Sequence, residues 1–191
     1  VQNKRIIEIR LQRPRFEAKY MSDEDEFSIA VGRRYTQEHL WFHLISGPND
    51  DFEEYKIGVS DFVRIEYGKI LKVTLPSFTD TSEFLIGTDD EQTNDEEIVS
   101  TDEEKEDGGA MGELSTDENL VGLQCEFETL NILAPVACSV MSMNGEIENN
   151  PHYVNREAYG DGWFVIIRVH DGFDYDDLMN SEDYVDYLAE L

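Results

Sequence analysis

The stretch Gln124–Val136, QCEFETLNILAPV, limits the possible folds more than any other part of the chain. It reads as a tight β-hairpin. Gln124-Cys125-Glu126-Phe127 rises to a tip, Asn131 supplies turn chemistry, and Ile132 to Val136 descends as an Ala-Pro-Val strand. Cys125, Glu126, Phe127 and Glu128 occupy the tip and are the candidate interaction residues. A phenylalanine on a projecting hairpin is costly in water, so its ring needs an environment. Three are open: a partner's pocket, this protein's own surface with the hairpin folded back, or half-burial against Leu130 in an ordinary short turn. A second run, Gly68–Pro76, places Ile70 in phase with Lys72 and Thr74, and Leu71 in phase with Val73 and Leu75. Such alternation argues for a strand with one buried face.

Other segments carry weaker signals of the same kind. Ile7, Ile9 and Leu11 alternate with Glu8, Arg10 and Gln12, a half-exposed strand that Pro14 confines to an edge. This region is an extra edge strand or a loose arm, or else a basic docking arm or the remnant of a mitochondrial targeting region, a reading that Glu8 and Glu17 weaken. Phe27–Val31 reads as a strand, and Ser46–Asp50 is strong turn chemistry before Tyr55–Val59. Ser60 suits the N-cap of a short helical turn after Val59. Asp176–Leu191 reads as a helix N-capped by Ser181, with Leu178, Tyr184 and Leu188 as its apolar stripe. His39 and His43 have the HxxxH spacing of a metal pair on a helix. On the strand expected here they lie about 13 Å apart, so no metal site is expected.

Charge excludes several function classes. The 191 residues hold 43 acidic and 15 basic side chains, net −28. Residues 1–20 carry +4, which leaves −32 on the rest. Such a field repels nucleic acid and anionic membrane and favours protein partners with a basic surface. No apolar run approaches the roughly 18 residues of a membrane span, so no membrane insertion is expected. Thr88–Glu118 holds fourteen acids, one lysine and few large apolar groups. It cannot bury enough surface to offset the entropy of ordering, and is expected to be a disordered insertion. Ser100-Thr101-Asp102-Glu103 recurs as Ser115-Thr116-Asp117-Glu118, a casein-kinase-like pattern. The segment is either a solubilising loop or a regulated dock for a basic partner. Cys125 and Cys138 are the only cysteines and are not expected to pair, so an intracellular compartment, mitochondrial or cytoplasmic, is expected. Val1 in place of a methionine fits a processed or trimmed chain.

Several motifs then resemble the glycine cleavage system H protein, a small lipoyl carrier. Tyr35-Thr36-Gln37-Glu38-His39-Leu40-Trp41 is similar to the family's Tyr-Thr-x-Glu-His-x-Trp. Ile57-Gly58-Val59-Ser60-Asp61-Phe62 and Gly68–Pro76 match its next two blocks. Asn149-Asn150-Pro151, Val154-Asn155 and Tyr159-Gly160-Asp161-Gly162-Trp163 match its Asn-Pro-x-x-Val-Asn-x-x-x-Tyr-Gly-x-Gly-Trp pattern without a gap. There Gly160 and Gly162 are expected to supply turn freedom, and Trp163 to fill the core as the last strand begins. The resemblance implies a mainly β barrel-sandwich hybrid: two small antiparallel sheets around one core, with short flanking helices and a C-terminal helix. It divides the chain into an N-terminal extension, 1–34, and a domain, 35–191, interrupted by the insertion 88–118.

The family's lipoyl-bearing lysine, in Glu-Ser-Val-Lys-Ala, falls on Phe127 when Ala134-Pro135-Val136 is laid on its Ala-Pro-Val. Phenylalanine has no amine to acylate, so no lipoyl cofactor is expected. Lys105 is the nearest lysine before the tip, and none follows it. The paired carboxylates Glu126 and Glu128 read as solvated face, and acidic neighbours raise the Cys125 thiol pKa. No catalytic residue is assigned. The expected function is a non-lipoylated H-like binding or structural subunit. The alternative is a glycine cleavage H protein or a regulatory decoy of that system.

Overall fold

A computed structural model describes residues 6–9, 27–46, 52–78, 109–170 and 173–191. Its strands are β1 (Ile6–Ile9), β2 (Phe27–Ala30), β3 (Arg34–Tyr35), β4 (Leu40–Leu44), β5 (Glu54–Val59), β6 (Ile70–Thr74), β7 (Gly112–Leu114), β8 (Asn119–Cys125), β9 (Thr129–Leu133), β10 (Cys138–Met143) and β11 (Val165–Val169). Helices are short: α1 (Phe62–Tyr67), α2 (Glu146–Asn149), α3 (His152–Arg156) and α4 (Ser181–Glu190). All strand pairs are antiparallel. They form a six-stranded sheet, β3-β4-β5-β11-β10-β7, a three-stranded sheet, β6-β8-β9, and a ribbon, β1-β2. The mainly β architecture is as the sequence implies, with the β1-β2 ribbon as a third element beyond the two sheets.

The expected single core is two. Leu40, Phe42, Tyr55, Ile57, Val73, Leu123, Val140 and Phe164 belong to the larger cluster. Trp41 joins the smaller one with Phe27, Ile29, Tyr35, Phe62, Tyr159 and Tyr184. Strand alternation explains the split, because β4 sends Leu40 and Phe42 to one face and Trp41 to the other. Phe27 and Ile29 therefore contribute to the domain's core although they precede residue 35. The Trp41 indole N–H donates to the Ala158 carbonyl at 3.0 Å. The Arg33 guanidinium lies 4.2 Å from the Trp41 ring centroid and donates to the Tyr159 carbonyl.

Local expectations fail at identifiable places. The β6-β8 register shifts between Ile70 and Lys72, so Ile70 and Val73 are both buried while Leu71 is 52% exposed. A bulge has replaced the clean alternation. Asn131 sits within β9 opposite Gly122, not in the turn. Ala134-Pro135-Val136 is a bend between β9 and β10 instead of a strand, as a proline without an N–H favours. Residue 61, not Ser60, caps α1, and the Ser60 hydroxyl is bonded to the Tyr184 hydroxyl at 2.7 Å. Helix α4 begins at Ser181; Asn180 is its N-cap and accepts from the N–H groups of Glu182 and Asp183. Leu178 precedes that helix and packs on the larger core, while Tyr184 and Leu188 are buried as the stripe requires. Trp163 is only partly buried, with Lys56 5.0 Å from its ring, and Phe164 takes the core position. Gly162 is needed for closeness more than for freedom: a Cβ there would lie 2.8 Å from the Tyr153 carbonyl oxygen.

The acidic stretch 88–118 also needs revision where it is described. Residues 88–108 lie outside the described residues. Gly112–Leu114, however, pairs with β10, and Leu114 is buried opposite Cys138. Besides the β7-β10 ladder, Met111 N–H donates to the Val140 carbonyl and Asp117 N–H to the Ala134 carbonyl, so backbone bonds tie this end down on both sides of Leu114. Leu114→Ala should therefore lower stability by about 2–4 kcal/mol in urea denaturation; an unchanged midpoint would show that β7 adds nothing to the fold.

His39 has φ 67° and its Nδ1 lies 2.9 Å from the Tyr184 hydroxyl. Burial lowers its pKa from 6.5 to about 4, against the opposing pull of Glu66 and Glu38. The unfolded chain thus takes the proton first as pH falls. The stability linked to neutral His39 is complete above pH 6.5 and is lost on the way down to about 4. His39→Asn tolerates the left-handed backbone and cannot be protonated. Between pH 7.5 and 5, the parent should lose about 2 kcal/mol more stability than this variant, with carboxylate titration common to both. Parallel pH profiles would show that the imidazole is not linked to folding.

Candidate functional site

The tip of the β8-β9 hairpin is built from backbone outward. Cys125 N–H donates to the Glu128 carbonyl at 2.8 Å, which closes the hairpin around Glu126 and Phe127. Glu126 N–H donates to the Lys69 carbonyl at 2.9 Å, and Phe127 N–H to the Tyr67 carbonyl at 3.1 Å. Tyr67 is the last residue of α1, so Phe127 satisfies one of the carbonyls that a helix end leaves without a partner. Gly68, at φ 83°, makes the approach possible: a Cβ there would meet the Glu126 Cβ at 2.8 Å and the Phe127 ring at 2.9 Å. The tip backbone is held on three sides while Phe127 is 75% exposed, more than any other large apolar residue among the described residues. Half-burial against Leu130 does not occur.

Its neighbours are chemically quiet. Cys125 is buried and unpaired, and burial together with the Glu128 charge pushes its thiol up to about 11. Cys138 is likewise buried, free and raised to about 11. Neither is a poised thiolate. Glu126 and Glu128 are exposed on either side of the ring, while Cys125, the last residue of β8, is buried. Lys69 and Lys72 are the residues that linear reading misses. The first meets the tip through its carbonyl and the second pairs with Gln124. A search along the chain for the nearest lysine cannot find them, since β6 precedes the hairpin by some fifty residues.

Beside the hairpin runs a cleft of about 620 Å³ along β9, with Glu38, His39, Tyr67 and Asp117 among its other lining residues. On the opposite end of the six-stranded sheet, Ser139 Oγ lies 2.8 Å from Glu113 and 3.1 Å from His170 Nε2. The carboxylate contacts that same Nε2, at 3.1 Å, so it does not orient the imidazole from behind as a relay demands. Among the described residues no group of three or more His, Cys, Asp or Glu is placed to hold a metal ion. No helix among them is long and apolar enough to cross a membrane. A lipoyl amide needs a lysine at the tip, and the side chain found there is a phenyl ring; the residues present do not fit the group.

The glycine cleavage H-protein family model matches residues 88–191. Glycine cleavage system H proteins of Coprothermobacter proteolyticus and Halothermothrix orenii are 24% and 27% identical to the chain, over 85% and 82% of its length and 98% and 93% of theirs. A crystal structure of the H protein from Mycobacterium marinum superposes with a TM-score of 0.57 at 16% identity, covering 84% of this chain and 98% of that one. The likeness in fold, the matched half of the sequence and the hairpin it presents lead to one assignment: the chain belongs to the glycine cleavage H-protein family.

Proposed function

We propose that this chain is an H-protein-fold binding subunit that carries no lipoyl group and meets a protein partner through Glu126, Phe127 and Glu128, with the buried Cys125 anchoring the base of the tip. The observation behind this reading is a solvent-exposed, amine-free ring on a tip whose backbone is already fixed. A fixed anchor loses little entropy on docking, and burying a phenyl side chain is worth roughly 2–3 kcal/mol. Two carboxylates beside the ring favour a pocket with a basic rim, in keeping with the net charge of −28. The acidic residues before β7 would reinforce that preference.

The names of the relatives support a second reading, that of an H protein or a regulatory decoy within the glycine cleavage system. A carrier needs an amine near the tip, and Lys69 and Lys72 are the ones the fold brings there. Intact mass after co-expression with a lipoate ligase separates the readings. The unmodified mass is expected, whereas a lipoyl increment on either lysine favours the carrier. Phe127→Ala should change unfolding free energy by less than about 1 kcal/mol, because the ring is mostly exposed, and should abolish partner capture. Undiminished capture would remove Phe127 from the interface.

A further inference from the structure

The three-stranded sheet β6-β8-β9 has two outer edges, and among the described residues only that of β6 is closed. Along β6, Ile70 N–H donates to the Asn155 side-chain carbonyl at 2.9 Å, and the Asn155 amide returns a bond to the Ile70 carbonyl at 2.8 Å. Leu75 N–H, just beyond, donates to Glu148 at 2.9 Å. Side chains of α2 and α3 thus take the place of a further strand. Among the described residues, β9 has no such cover. The bond from Cys125 N–H to the Glu128 carbonyl sets the phase of the hairpin, and the register runs on as Gln124↔Thr129, Leu123↔Leu130, Gly122↔Asn131 and Val121↔Ile132. Bonded and non-bonded pairs alternate in an antiparallel ladder. The backbones of Leu130 and Ile132 therefore face β8, and those of Thr129 and Asn131 face outward, where they make no hydrogen bond among the described residues.

The open stretch is bounded. At one end stands the tip. At the other, Ala134 N–H donates to the Glu118 carbonyl at 2.7 Å and Asp117 N–H to the Ala134 carbonyl at 3.0 Å. Between them lies the cleft of about 620 Å³. Proteins usually blunt a free edge with lysine, proline or a bulge. β9, TLNIL, has no charged residue and no proline, and no charge occurs from Thr129 to Gly145 in a chain that is 30% charged. The cleft lining contains two carboxylates, Glu38 and Asp117, and neither lysine nor arginine.

We propose that the outer edge of β9 receives an extended segment of a partner protein as an added strand, with at least one Lys or Arg side chain directed to Glu38 and Asp117. Backbone pairing with Thr129 and Asn131 supplies the register, and the carboxylates supply the choice of a basic segment. This site is separate from Phe127 and does not rest on the tip's role.

The test uses the full chain and a displayed library of random ten-residue peptides. Enriched peptides should alternate β-branched with Lys or Arg residues. On binding, the amide protons of Thr129 and Asn131 should gain exchange protection, while those of Leu130 and Ile132, already paired, keep theirs. N-methylation of one alternate set of peptide residues should weaken binding by about tenfold or more, and of the other set by less than about twofold. Glu38→Gln with Asp117→Asn should weaken binding at low salt and flatten its salt dependence. Phe127→Ala should leave it unchanged. The proposal is overturned by a library with no enriched peptide, by equal tolerance of both N-methyl sets, or by protection that maps elsewhere on the chain.

Discussion

Everything else in this structure hangs on the burial of β4 from both sides. Leu40, Trp41 and Phe42 are consecutive, and none is exposed to solvent. Alternation sends the middle ring one way and its neighbours the other, so a single strand joins two cores. The larger core lies between the two main sheets. The smaller one is covered by β2, α1 and α4, and its aromatic rings meet at close range: Tyr35 stacks on Tyr184 with centroids 4.3 Å apart. Removing the smaller core would uncover Trp41, and removing the larger would uncover Leu40 and Phe42.

That arrangement reaches the hairpin through α1. Phe62, in the first turn of the helix, is buried in the smaller core, and Val63 is buried in the larger. Fixing the helix fixes its last carbonyl, Tyr67, which receives the Phe127 N–H. The tip therefore inherits its position from aromatic packing far along the chain. A loop held only at its two strand ends would lose this placement to fluctuation; contacts with Tyr67, Gly68 and Lys69 remove that freedom before any partner arrives.

What could be read from the sequence divides along physical lines. Period-2 runs and the terminal amphipathic helix are local patterns and gave strands and a helix, while the fold class followed from the family resemblance carried by Tyr35–Trp41 and the Asn149–Trp163 block. Features that depend on neighbours in space were not legible. The bulge that exposes Leu71 depends on pairing with β8. Ser60 was lost as a cap because Tyr184, 124 positions away, offers its hydroxyl a buried bond. Composition misjudged residues 109–118, since their pairing with β10 and the burial of Leu114 in the larger core depend on neighbours in space and not on the charge around them. The exposed edge of β9 could not be seen at all, because an edge is defined by which strand is missing beside it.

Charge and its local absence complete the picture. A net charge of −28 attracts a basic partner over about a Debye length, roughly 8 Å at physiological ionic strength, but does not fix an orientation. Orientation requires short-range groups with defined geometry. The stretch from Thr129 to Gly145 has no charge of its own, and it starts at the tip and runs along the open edge. A like-charged strand at that edge would repel acids and hold basic side chains in many equivalent poses. An uncharged backbone edge, with Glu38 and Asp117 as the carboxylates that line the cleft, instead separates the two tasks. In the proposed docking, the general field would draw the partner in, and the edge, by the fixed spacing of its outward N–H and C=O groups, would determine the register in which it stays.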